Sequence, residues 1–94
     1  MPDYAEFDAA DYLDNDETVA EFLAVAAEDP DPAVFLAAVA AVARARGMTK
    51  VASEAGLGRV TLHKALTPGA HPRYETVQKI LRSLGLRMTF TVAH

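Results

Sequence analysis

From Pro30 onward, proline and glycine cut this chain into short pieces: Pro30, Pro32, Gly47, Gly56, Gly58, Pro68, Gly69, Pro72 and Gly85. Proline is accepted in the first turn of a helix and glycine favours its end. Only short elements fit between such stops. Short helices are marginal on their own in water, so each piece must bury an apolar stripe against the others.

The residues supply those stripes. Asp16 is positioned to cap a helix in which Val19, Phe22, Leu23 and Ala26 recur at i, i+3, i+4 and i+7, and Asp29-Pro30 ends it because the residue before proline avoids helical angles. Asp31 caps the next helix with Pro32 at its first position, and Phe35, Leu36, Val39, Val42 and Ala43 form its inward face. Arg44 and Arg46 close its last turn, where they complement the helix dipole, and Gly47 is the stop. Two brief helices follow, Thr49 to Ala55 and Arg59 to Leu66, divided by Gly56-Leu57-Gly58. After a loop over residues 68–72, Tyr74, Val77, Ile80, Leu81 and Leu84 line the inner face of a helix that stops at Gly85.

Beyond Gly85 the period changes. Leu86, Met88, Phe90 and Val92 alternate with Arg87, Thr89 and Thr91, the pattern of a strand. A lone strand in a helical chain has unpaired edges and one apolar face. Its simplest partner is the same strand of a second copy, which assigns Leu86, Met88, Phe90 and Val92 to the interface of a homodimer. The expected fold is mainly α, about five helices with a short C-terminal β-strand that pairs across the dimer.

Charge is as segregated as structure. Residues 1–43 hold eleven acids and no cation, while residues 44–94 hold all nine Lys and Arg against Glu54 and Glu75 alone. The formal net charge of −4 therefore hides two surfaces of opposite sign, and two partners are expected, one for each. With no cysteine there is no disulfide framework, thiolate nucleophile or zinc-finger ligand set. Asp11, Asp14, Asp16 and Glu17 miss the calcium-loop spacing and lack its central glycine, and His63, His71 and His94 show no ligand spacing. Ser53 and Ser83, the two serines, fall inside helices with no glycine-rich elbow beside them. Neither an enzyme nor a cofactor is expected. The start Met-Pro-Asp-Tyr-Ala-Glu lacks the basic and apolar regions of a secretory signal, and the apolar run from Pro32 to Ala43 is short of the roughly 20 residues that cross a bilayer. A soluble cytoplasmic protein is expected.

Residues 48–66 meet the physical demands of a helix-turn-helix. Ala52 is small where two helices approach, Gly56 supplies a positive φ at the turn, and Val51, Leu57, Leu62 and Leu66 are the buried points. Thr49 is a good N-cap, and with the nearby N–H groups it offers a phosphate its hydroxyl. With Leu62 and Leu66 inward, the second helix presents Arg59, Val60, His63 and Lys64, with Thr61 at the margin. Arg59 suits guanine, Val60 a thymine methyl, and His63 and Lys64 base edges or phosphate. Lys50, Arg44, Arg46 and Arg73 are left for the DNA backbone, which supplies affinity without sequence reading.

The runs Phe7–Leu13, Asp31-Pro32-Ala33, Ala43–Thr49, Leu62–Pro68 and Thr76 through Leu86 resemble the probable addiction-module antidote proteins, helix-turn-helix antitoxins related to HigA and Xre-type, lambda-repressor-like regulators. The likeness spans roughly residues 7–92, and Ala43-Arg44-Ala45-Arg46-Gly47-Met48 is its most specific part. It implies an antitoxin of a type II module that binds and neutralises a RelE/ParE-superfamily toxin encoded beside it and represses their operon. Gly58 departs from the family's serine at the start of the recognition helix. His63 departs from its aromatic, leaving open whether His63 faces DNA or packs inward.

Toxins of that superfamily are typically small and basic, so residues 1–31 are assigned to the toxin and residues 32–94 to DNA binding and dimerisation. Phe7, Tyr12, Leu13 and Phe22 serve as apolar anchors, with Asp8 and Asp11 among the steering charges. The competing reading is that these apolar residues cover the protein's own core. Two other functions stay open: a free-standing repressor without a toxin, and a protein-interaction module that binds no DNA.

Overall fold

The computed structural model describes residues 15–93. The described residues form five helices: α1 (Asp16–Ala27), α2 (Pro32–Arg46), α3 (Met48–Ala55), α4 (Arg59–Ala65) and α5 (Tyr74–Ser83). None of them is long and apolar enough to cross a membrane.

Local chemistry sets the first two boundaries. The Asn15 side chain accepts from the N–H groups of Glu17 and Thr18 at 2.9 and 3.1 Å, so the cap of α1 is Asn15 and not Asp16. Asp16 instead stands in the first turn, its carboxylate drawn to Arg46 at the end of α2, 2.8 Å away. After α1 ends at Ala27, Asp29 accepts from the N–H of Asp31 at 2.9 Å, and Asp31 in turn accepts from Ala33 at 2.9 Å to cap α2. This relay of short acceptors reverses the chain so that α1 lies against α2.

One residue separates α2 from α3. Gly47, at φ 101°, donates to the carbonyl of Ala43 at 2.9 Å and accepts from the N–H of Val51 at 3.0 Å, so one helix ends and the next begins on the same residue. A side chain with a Cβ is strained at that angle. Because α3 therefore starts at Met48, Thr49 lies inside its first turn and does not cap it; no side chain does. The end of α3 uses the second left-handed glycine, Gly56 at φ 71°, and the N–H of Leu57 reaches back to the carbonyl of Ala52 at 2.9 Å.

A single core joins all five helices. Val19 and Leu23 of α1, Val39, Val42 and Ala43 of α2, Val51 and Ala52 of α3, Leu62 and Ala65 of α4, and Ile80 and Leu81 of α5 are buried together, with Leu66 and Leu84 just beyond the last two helices. The small Ala38, Ala40 and Ala43 on α2 let its neighbours come close. α3 packs on both α2 and α5, and α4 leans on α3.

Two expectations on the C-terminal side change. Tyr74 is 61% exposed, because α5 starts on it and the apolar stripe is already only partly covered at Val77. Among the described residues no strand forms; residues 86–93 have no regular structure, and their internal backbone tie is Leu86 N–H to the carbonyl of Leu81 at 3.0 Å. A strand is defined by a ladder to another strand, and the isolated chain offers this segment none.

Candidate functional site

α4 is a seven-residue helix held by one apolar edge. Leu62 is 0% exposed, Ala65 and the following Leu66 are also buried, and every other side chain of the helix is exposed. Arg59, Val60, Thr61, His63 and Lys64 thus stand on the outer face, as the spacing of Leu62 and Leu66 demands. His63 does not pack inward: its side chain is exposed, and its carbonyl accepts from the Thr67 hydroxyl at 2.7 Å, tying off the end of α4.

The outer face has two sides that share Lys64. Arg59, Val60, His63, Lys64 and Thr67 line a shallow depression on one side. Thr61 and Lys64 line a second shallow depression on the other, together with His71 and Arg73 of the following loop and Thr76 of α5. Among the described residues neither concavity has a carboxylate in its lining. Thr49 and Lys50 are exposed on the first turn of α3 and belong to neither. Arg44 is exposed and borders a separate apolar groove along α2, lined by Leu36, Ala37, Ala40 and Pro68.

Arg46 does not join this group. Its guanidinium is bound to Asp16 and its side chain is only 18% exposed, against 73% for the Asp16 partner. The Arg46 Nε is buried without an acceptor among the described residues. Arg46 thus fastens the start of α1 to the corner between α2 and α3 and is not an accessible surface cation.

Of the residues assigned to a toxin, Phe7, Asp8, Asp11, Tyr12 and Leu13 lie outside the described residues. Phe22 is 37% exposed, off the buried line of Val19 and Leu23. Val25, one turn further on, is 70% exposed, and the sequence reading overlooked it although its i+3 relation to Phe22 placed it on the same flank. Around these two stand Glu21 and Glu28, both exposed. Among the dimer candidates, Leu86 is partly buried against the core, whereas Met88, Phe90 and Val92 are exposed, Phe90 by 89%. Met88 and Phe90 border one concavity with the exposed Tyr74.

No solved structure matches the chain. It is 33% identical over 82 residues to an uncharacterized protein of Haemophilus influenzae, an alignment that covers 87% of this chain and 84% of that protein. The model of one family, described as "Probable addiction module antidote protein", matches residues 3–92. The chain belongs to the probable addiction-module antidote family.

Proposed function

We propose that this chain is the antitoxin of a type II toxin–antitoxin module: it neutralises a RelE/ParE-superfamily toxin by direct binding and represses their shared operon by binding DNA. The observation that carries the proposal is the division of α4, with Leu62 fully buried and Arg59, Val60, His63 and Lys64 all turned to solvent. In this reading α3 and α4 are a helix-turn-helix and α4 enters the major groove. Arg59 then pairs with guanine, Val60 touches a thymine methyl, and His63 and Lys64 meet base edges or phosphate, with Thr61 at the margin. Thr49, Lys50 and Arg44 serve the DNA backbone; Arg46, held by Asp16, is withdrawn from that role.

The acidic end of the chain takes the toxin. Phe22 and Val25 give α1 an exposed apolar flank among carboxylates, which fits a basic partner with an apolar surface. The assignment of residues 1–31 to toxin and 32–94 to DNA is a division of labour, since Val19 and Leu23 of α1 share the core of the rest. Two copies joined through Met88, Phe90 and Val92 would set two α4 helices on one face of a two-fold operator, in the cytoplasm where operon and toxin lie.

Co-expression with the product of the adjacent reading frame tests the proposal. The full chain is expected to restore growth and to co-purify with that product, and the double variant Phe22→Asp/Val25→Asp to do neither while still shifting DNA from upstream of its gene. If the wild-type chain captures nothing from the adjacent frame, the antitoxin reading fails; if it shifts no upstream DNA, the repressor reading fails.

A further inference from the structure

The groove along α2 has a volume of about 350 Å³. Leu36, Ala37 and Ala40 of the helix form one wall, and Leu66 and Pro68 after α4 form the other. Asp31 stands at one end and Arg44 at the other, about 20 Å away at the helical rise of about 1.5 Å per residue, and no charged side chain lies between them on α2. The Asp31 carboxylate caps α2 through one oxygen and has no ion-pair partner among the described residues. The same chain carries an apolar segment that nothing in one copy covers: Phe90 and Val92 are the most exposed large apolar side chains among the described residues. The pitch of the two surfaces agrees. Alternate residues of an extended segment are about 6.6 Å apart and helix residues four apart are about 6 Å apart, so Met88, Phe90 and Val92 can step along α2 one turn at a time.

We propose that this groove receives residues 87–92 of a second copy, and that two copies exchange these segments reciprocally about a two-fold axis. The proposal rests on the homodimer reading above and names the surface that takes Met88, Phe90 and Val92: the partner's α2 groove and not the partner's own copy of the segment. Arg87 sets the direction. Placed against Asp31 it forms an ion pair, and the uncharged residues 88–92 then run toward Arg44; the reverse direction sets Arg87 against Arg44. Phe90, about 10 Å beyond Arg87, then comes level with Ala37, about 9 Å beyond Asp31. Arg44 stays uncommitted, as the DNA reading requires. Docking of this kind inserts side chains and needs no ladder, which suits a segment that forms no strand in one copy. Thirteen residues line the groove and six fill it, so reciprocal exchange engages about twenty residues of each copy, the scale at which specific interfaces of about 20–30 residues a side begin.

The test uses the full chain with Phe90 replaced by a photoreactive benzophenone analogue of phenylalanine, which keeps the aromatic side chain. This variant is mixed with 15N-labelled wild type and irradiated, and mass spectrometry of the labelled peptides locates bonds made between copies. Bonds to labelled residues 32–44 or 66–71 are expected. Bonds to labelled residues 86–92 would mean strand-to-strand pairing, and these, bonds elsewhere or none at all overturn the groove seat. Sedimentation of the wild type and Ala37→Gln supplies the second measurement. Glutamine keeps a good helix former on α2 but puts a long polar side chain in the groove, so the dissociation constant of the dimer should rise by about tenfold or more with the helical circular dichroism unchanged. A wild-type dimer that Ala37→Gln leaves equally tight overturns the groove seat alone, whereas a monomeric wild type removes the homodimer reading with it. Should Ala37→Gln lose its fold, the crosslink decides.

Discussion

The orientation of α4 is what stability measurements can test most sharply, through Leu62→Ala. Leu62 is 0% exposed, and the substitution removes three carbons from the centre of the edge that holds a seven-residue helix. At about 0.8 kcal/mol per buried methylene the transfer loss alone is about 2.4 kcal/mol. The residual cavity adds to it, and leucine truncations in cores span about 2–5 kcal/mol. A value of about 3 kcal/mol corresponds to a fall of about 12–24 °C in Tm for a domain of this size, by the usual relation of about 4–8 °C per kcal/mol. Val60, two positions earlier and 68% exposed, provides the contrast: Val60→Ala should stay within about 0.5 kcal/mol, or about 4 °C. Thermal unfolding followed by circular dichroism at 222 nm measures both. Equal melting of the two variants, or a larger loss at Val60, would mean that α4 is rotated about its axis and that the outer face described here is wrong.

Two further effects follow from particular contacts. The tie between Asp16 and Arg46 joins a largely buried guanidinium to an exposed carboxylate, so the double-mutant cycle Asp16→Ala/Arg46→Met should give a coupling of about 1 kcal/mol, above the few tenths typical of fully exposed pairs; a coupling near zero refutes a structural role for the pair. Glycines 56 and 58, two residues apart, should respond with opposite signs. At φ 71° Gly56→Ala costs about 1 kcal/mol, whereas Gly58→Ser gains a few tenths to about 1 kcal/mol. Gly58 has ordinary angles, φ −70° and ψ 153°, its nearest neighbour to an added Cβ is the Thr61 hydroxyl at 4.0 Å, and a serine there would cap an α4 that no side chain now caps. Urea unfolding of the two variants distinguishes the signs, and a shift in the same direction for both contradicts the backbone account.

The sequence was most legible where the cause is local. Asp31-Pro32, Gly47 and Gly56 mark helix boundaries because capping and positive φ act within a turn, and the i, i+3, i+4 spacing around Leu62 and Leu66 was enough to place Arg59, Val60, His63 and Lys64 outside. It was least legible where the cause lies far along the chain. Asn15 and Asp16 are both competent caps; Asn15 takes the role, while Asp16 pairs with an arginine thirty residues away that the local sequence does not point to. The same arginine, which reads as a surface cation at the end of α2, is unavailable for the same reason. The alternation of Leu86, Met88, Phe90 and Val92 states a preference for extended backbone, but a ladder needs a second strand that one copy does not contain. Thr76 and His71 carry no motif; only the fold brings them beside Lys64.

The central claim is that the outer face of α4 binds DNA, and fluorescence anisotropy with a labelled duplex from upstream of the gene measures it directly. The account predicts that the wild-type chain binds with log K falling steeply against log salt. Arg59→Ala, melting like the wild type, should lose about 1–3 kcal/mol on this duplex, or about 5- to 150-fold, and much less on scrambled DNA. Wild-type affinity in Arg59→Ala, or no binding by the wild type at low salt, would contradict it.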